Sequence, residues 1–227
     1  MSELPDWPRT VVIVAHPDDE SFGLGAVLST LAARGSRVSV LCFTQGEAST
    51  LHGVSGDLAV IRRDELRRAA DELGLDGVRL LSYPDGSLAD QPLDALIADA
   101  RGYAAEVAPA GLVTFDPSGI TGHPDHAAAT RIAVELGRGL GLGVLGWTLP
   151  RAVADQLHTE LGIGFIGHDP HEIDLVVDVD RTAQRRAIAC HASQAVPGSP
   201  LWRRLELLGD REHLRWLHRP ASTLPTG

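Results

Sequence analysis

The sequence predicts a single α/β domain whose mainly parallel, Rossmann-like sheet is flanked by helices. Three observations predict it: short β-branched apolar runs recur along the chain, a Gly- or Pro-containing turn follows each, and a helical pattern follows each turn. Unbroken apolar runs mark strands covered on both faces, and strand-helix-strand order requires right-handed crossovers that make the sheet parallel. With 227 residues and 44% hydrophobic content, one domain over 1–219 is long enough to bury its own core.

The first strand is expected at 11–15, an apolar run from Val11 to Ala15, and similar runs recur at 38–43, 78–81 and 112–115. Helical patterns cover 23–34, 57–73, 92–107, 124–137 and 181–191, the second with Asp57 as cap and Gly74 as stop. A Gly- and Leu-rich stretch at 137–146 reads as a helix end that turns into a strand near 144–148. Residues 173–179 alternate apolar side chains with Asp174 and Asp178, the pattern of a strand near a sheet edge. Residues 49–56 and 150–170 read as pocket-lining loops, and 220–227 as a disordered tail. No internal repeat or interdomain linker is visible.

Composition removes several function classes. The formal net charge is −10 and no basic run occurs, so the clustered cations that bind a nucleic-acid backbone are missing. The first ten residues carry Glu3, Asp6, Pro5 and Pro8 where an export signal needs a basic then apolar segment. The longest apolar runs are about half a bilayer span, which predicts a cytoplasmic protein without membrane insertion. Cys42 and Cys190 fall inside an expected strand and an expected helix, as reduced thiols do, and receive no catalytic role. All twenty basic residues are arginine. Without lysine there is no Walker A phosphate grip, no pyridoxal Schiff base and no Ser-Lys pair.

Polar clusters follow the first four strands: His16-Pro17-Asp18-Asp19-Glu20, Thr44-Gln45-Gly46-Glu47, Pro84-Asp85-Gly86 and His123-Pro124-Asp125-His126. Loops at the carboxyl ends of parallel strands form the ligand crevice, so these clusters should converge. His16 and Asp19, three apart at a strand-to-helix turn, can aim at one ion, and His126 is the expected third ligand. Either motif alone is a weak signal, because each histidine could be an ordinary loop residue. Zinc is the default ion, and Fe(II) suits the same ligands. Asp18, between two ligands, is the expected general base; Glu20 enters the helix, where its other role is favourable charge at the N-terminus. His123 is free to stabilise an oxyanion as imidazolium, with Asp125 holding its tautomer and charge.

Four further residues carry two readings each. Arg62 shares a helical stripe with Glu65, Leu58, Ile61 and Ala69, so it either pairs with Glu65 at the core margin or reaches a substrate oxygen. Asp85 and, more weakly, Glu47 are turn residues or ligands of substrate hydroxyls. His191 either favours a helix end or stands beside the substrate.

Ala15-His16-Pro17-Asp18-Asp19-Glu20 with Gly122-His123-Pro124-Asp125-His126 resembles the LmbE-like, or PIG-L, family of zinc N-deacetylases. Arg62 with Glu65, Leu73-Gly74, Pro84-Asp85-Gly86 and His191-Ala192-Ser193-Gln194 extend the similarity from about 11 to about 194. The resemblance implies zinc on His16, Asp19 and His126, a base at Asp18, and help from His123 with Asp125. It also implies a small sugar or glycoconjugate substrate such as an N-acetylglucosaminyl amide, with related thiol-conjugate or natural-product amides as the alternative. A homo-oligomer is compatible with it. Some members carry a Tyr where this chain has Thr121, so that oxyanion donor differs here. Two other classes compete. A nucleotide-binding module is suggested by Gly23-Leu24-Gly25, but Leu28 replaces the third glycine and the turn is acidic. A non-catalytic metal protein has no use for Asp18 and His123.

Overall fold

The computed structural model describes residues 3–51 and 55–219. The predicted tail at 220–227 and positions 52–54 of the predicted 49–56 loop lie outside the described residues. Among those described, β1 (Arg9–Val14), β2 (Arg37–Thr44), β3 (Gly77–Tyr83), β4 (Gly111–Phe115), β5 (Gly143–Pro150), β6 (Gly167–His168), β7 (Leu175–Asp178) and β8 (Arg211–His218) form one sheet. Its order is β3-β2-β1-β4-β5-β8-β7, with β6 paired to β5. The first five strands are parallel to one another, and β8 runs antiparallel to both β5 and β7.

Strand alternation divides the core in two. Val12 and Val14 of β1 face one way, with Val38, Val40 and Cys42 of β2, against Leu24, Leu28 and Leu66. Val11 and Ile13 face the other way, with Leu41 and Phe43, against Leu96, Tyr103, Ile132 and Leu136. The helices are α1 (Asp19–Phe22), α2 (Gly25–Ala33), α3 (Leu58–Leu73), α4 (Leu93–Val107), α5 (Gly119–Gly122), α6 (Pro124–Leu140), α7 (Arg151–Leu161), α8 (Thr182–Cys190) and α9 (Pro200–Leu208). As expected, α3 starts at Asp57, whose side chain accepts from Ala59 N and Val60 N, and stops at left-handed Gly74.

Two expectations need correction. The helix foreseen over 23–34 starts at Gly25 as α2, after a separate short α1, and between the two Gly23 passes so close to Phe115 that a Cβ would sit 2.4 Å from the ring. Gly25 likewise meets Gln184, 2.8 Å from where its Cβ would be, so the glycine pair serves packing and not a phosphate. Residues 150–170 hold α7 and β6 instead of a pocket loop, and none of them lines the main cavity. Beyond these, α9 and β8 had no counterpart in the sequence reading. The strand β8 is polar in sequence, yet its Glu212 is fully buried because Arg181 and Trp147 bond it.

Candidate metal centre and active site

The chain runs from β1 outward through β2 and β3, then crosses back to place β4 on the other side of β1. This is the topological switch point, where the diverging loops open a crevice. His16 leaves the end of β1, and His126 sits in the first turn of α6 after β4. All four polar clusters predicted from the sequence contribute to this one sheet edge.

Three side chains converge there. His16 Nδ1 lies 3.2 Å from His126 Nε2, Asp19 Oδ1 lies 3.0 Å from His126 Nε2, and one ligand atom from each of the three lies within 4.8 Å of the others. Bonds of about 2.0–2.1 Å to a tetrahedral zinc would set its ligands roughly 3.3 Å apart, so this triangle fits such an ion.

The remaining atoms of these side chains are compatible with that arrangement. His16 turns Nε2 away from the triangle, 3.1 Å from Asp85 Oδ1 and 3.3 Å from Asp125 Oδ2. His126 sets Nδ1 3.3 Å from the Gly119 carbonyl. A ring N–H held by such acceptors leaves the opposite nitrogen as the lone-pair donor. Asp19 Oδ2 accepts from Ala15 N and His16 N at 3.1 and 2.9 Å. Burial works against charge on the His16 ring, yet Asp125 and Asp85 push its pKa up to about 10. Burial also opposes the Asp19 anion, but His126 and His16 hold its carboxyl below the usual range.

Asp18 stands beside the triangle in a backbone conformation rare for its type, with φ at 124°. Its N–H donates to Glu20 Oε2 at 3.0 Å, and its Oδ2 accepts from Arg62 Nη2 at 2.9 Å. Arg62 also grips the Pro17 carbonyl and donates to the Gly46 carbonyl at 2.7 Å. Burial raises the Asp18 pKa to about 6, against the pull of Arg62. Glu20 is fully buried and turned inward, accepting from Ser21 Oγ at 2.5 Å and bonded to His191 Nε2 at 2.7 Å. Between the two carboxylates, only Asp18 lines the cavity.

Asp125 does not hold His123. Its oxygens accept from Gly86 N and Leu88 N at 2.8 and 3.0 Å and face His16, because the first turn of α6 points this side chain back under β1. His123 instead caps α6, its Nδ1 accepting from Asp125 N at 3.2 Å, while the ring stacks 4.7 Å from His126. Burial lowers the His123 pKa, and His126 and His16 lower it further. These surroundings disfavour the imidazolium expected from the sequence, and the Asp125 N–H directed at Nδ1 leaves Nε2 as the ring's available donor.

The other predicted residues separate. Arg62 and Asp85 line the cavity. Glu65 does not pair with Arg62; it accepts from Ser193 N and Oγ at 2.9 and 2.6 Å. Glu47 lies behind Asp85, accepting its N–H at 3.0 Å. His191 is fully buried against Glu20, away from the cavity. Sequence reasoning missed the far wall: Phe22, Phe115, Ile120, Trp147 and Arg204. Ile120, at φ 66°, is strained for a β-branched residue, and no tyrosine lines the cavity among the described residues. The cavity volume is about 500 Å³, within the range of small-molecule sites.

A carboxylate and two imidazoles at a switch point, with a second carboxylate pinned beside them, belong to a metal-dependent N-deacetylase. The chain is a member of the PIG-L family, GlcNAc-PI de-N-acetylase, whose model matches residues 11–136. It is 30% identical over 233 residues to the 1D-myo-inositol 2-acetamido-2-deoxy-alpha-D-glucopyranoside deacetylase of Mycolicibacterium smegmatis, covering 82% of this chain and 80% of that one. Among solved structures, N,N'-diacetylchitobiose deacetylase from Pyrococcus horikoshii matches with TM-score 0.68 and 25% identity, covering 96% and 88% of the two chains. The zinc-inhibited form of teicoplanin deacetylase matches with TM-score 0.71 and 22% identity over 92% and 97%, a likeness of fold. No helix among the described residues is long and apolar enough to cross a membrane.

Proposed function

We propose that this protein removes an acetyl group, or a close acyl relative, from the amide nitrogen of a small sugar conjugate of the N-acetylglucosaminyl type. The observation that carries the reading is Asp18, held by Arg62 and Glu20 beside the His16, Asp19 and His126 triangle. Two of the relatives' names, an inositol 2-acetamido-2-deoxy-glucopyranoside deacetylase and an N,N'-diacetylchitobiose deacetylase, support the same substrate class. Zinc is the ion we assign to the triangle. A bound divalent ion polarises a carbonyl and lowers the pKa of water to about 7.

The chain supplies the rest. Asp18 takes the proton of the attacking water and returns it to the departing amine, a task its pKa of about 6 suits near neutral pH. His123 donates from Nε2 to the carbonyl oxygen as that oxygen gains charge; a neutral imidazole serves, since the bond is strongest in the transition state. Asp125 orients His16, and Asp85 both supports His16 and faces the cavity, where it can accept from a sugar hydroxyl. The apolar far wall of Phe22, Phe115 and Trp147 favours, as a second reading, a natural-product amide with an apolar arm. Cys42 and Cys190 are not bonded to each other, and a cytoplasmic setting suits two such thiols.

Acetate release from N-acetylglucosaminides and related conjugates, using protein of measured metal content, tests the reading. About one divalent ion per chain with turnover is expected. His16→Ala and His126→Ala should lose both; variants that bind metal as tightly as the parent would remove these ligands from the assignment.

A further inference from the structure

The far wall of the cavity ends in a charge that the reaction does not use. Arg204, on α9, is 8% exposed and lines the cavity. Its Nη2 donates to the Phe22 carbonyl at 2.5 Å. Its Nε is sealed from solvent with no hydrogen-bond partner, and its Nη1 also has none among the described residues without being sealed in the same way. The guanidinium lies 5.2 Å from the Trp147 ring.

The neighbouring carboxylate is already taken. Both Glu212 oxygens are occupied, one by Arg181 Nη1 and the other by Trp147 Nε1 at 2.6 Å. Arg181 is itself satisfied by Glu212, Gln184, Gly209 and Arg211. Two buried guanidinium groups thus share one carboxylate, and Arg204 is the one left facing open space. The cavity's acids stand elsewhere: Asp19 on the histidines, Asp85 on His16, Asp18 on Arg62. Burial pushes the Arg204 pKa down to about 10, with Glu212 opposing, so the side chain remains charged at neutral pH.

A buried cation without a carboxylate partner is unfavourable unless something else neutralises it. An aromatic path leads to it from the metal triangle: the His126 and Phe115 rings are 4.9 Å apart, Phe115 and Trp147 5.7 Å. We propose that Arg204 is a substrate-binding residue for a carboxylate, and that the substrate arm lying along Phe115 and Trp147 ends in that group. This rests on the deacylase reading and narrows its substrate class to acidic amides. The carboxylate can belong to the acyl group or to the amine-side aglycone, since either can extend from an amide held at the triangle.

Two matched series separate these sources. One compares glucosamine amides whose acyl group ends in a carboxylate or in the isosteric carboxamide, succinyl against succinamoyl. The other compares N-acetylglucosaminides whose aglycone ends in the same two ways. For each pair, kcat/KM and calorimetric affinity are measured with the metal-loaded protein. In one series the carboxylate member is expected to be favoured roughly tenfold or more, through KM, as a charge-assisted pair requires. The favoured series identifies the acyl or the amine side. Arg204→Met should bring the ratio close to one, and Arg204→Lys should keep part of it.

No carboxylate preference by the parent in either series overturns the proposal, as does a preference that survives in Arg204→Met. The parent ratio and Arg204→Lys decide the matter if Arg204→Met does not fold. Absence of hydrolysis for every compound, together with tighter carboxylate binding that Arg204→Met loses, would refute the deacylase reading and leave the carboxylate site standing.

Discussion

Asp125 directs Oδ2 to His16 Nε2 at 3.3 Å, on the side of the ring that faces away from the metal triangle. A carboxylate in this position fixes which ring nitrogen is free to bind an ion, and such partners typically contribute 10–100-fold to affinity. Asp125→Asn should therefore weaken metal binding by about that factor, as read by competition with a chelator of known affinity. Undiminished affinity would show that Asp85 alone suffices to hold the ring.

Asp18→Asn should separate metal content from turnover. The amide can still accept from Arg62, so the loop keeps its shape, but no proton acceptor remains. Loss of a general base typically costs about 10² to 10⁴ in rate. Elemental analysis with single-turnover kinetics would check this, and near-parental turnover would reject Asp18 as base.

His123→Ala should lower kcat by roughly 10² to 10³, with KM little changed and metal retained, if its Nε2–H acts mainly on the developing oxyanion. The structure adds a constraint. Because burial and two neighbouring histidines disfavour its charge, the alkaline limb of the parent's pH profile should persist in the variant. Disappearance of that limb would restore the imidazolium.

The buried Glu20–His191 bond should couple stability to pH. Burial opposes charge on His191, but Glu20, Asp18 and Glu65 raise its pKa above the ordinary 6.5. The folded state then holds a proton that the unfolded chain releases, so this contribution is complete below pH 6.5 and fades as pH rises through the raised value. Chemical denaturation of the parent and His191→Gln between pH 6 and 9 measures it. The stability gap between the two should narrow toward alkaline pH; a gap that widened would mean the buried pair is neutral.

The sequence by itself determined the architecture's first half and the meeting of His16, Asp19 and His126 at one sheet edge. The apolar runs of β1 to β4 can be covered only by crossover helices, and loops at the carboxyl ends of parallel strands must meet. Once that edge is known, His16, Asp19 and His126 are placed by connectivity alone, however far apart they are in the chain. What the tertiary structure decided is where each side chain spends its remaining bonds. Asp125 adjoins His123 in sequence but serves His16, because the α6 first turn carries the two side chains in different directions. Arg62 and Glu65 share a helix stripe yet bond Asp18 and Ser193 respectively, since the partners come from separate loops. The far wall was silent for the same reason: Trp147 looks like an ordinary strand residue and Arg204 lies in a stretch without a sequence assignment, until β8 inserts beside β5 and brings Glu212 to Trp147. Periodicity reports which face of an element is buried, and only packing reports what that face meets.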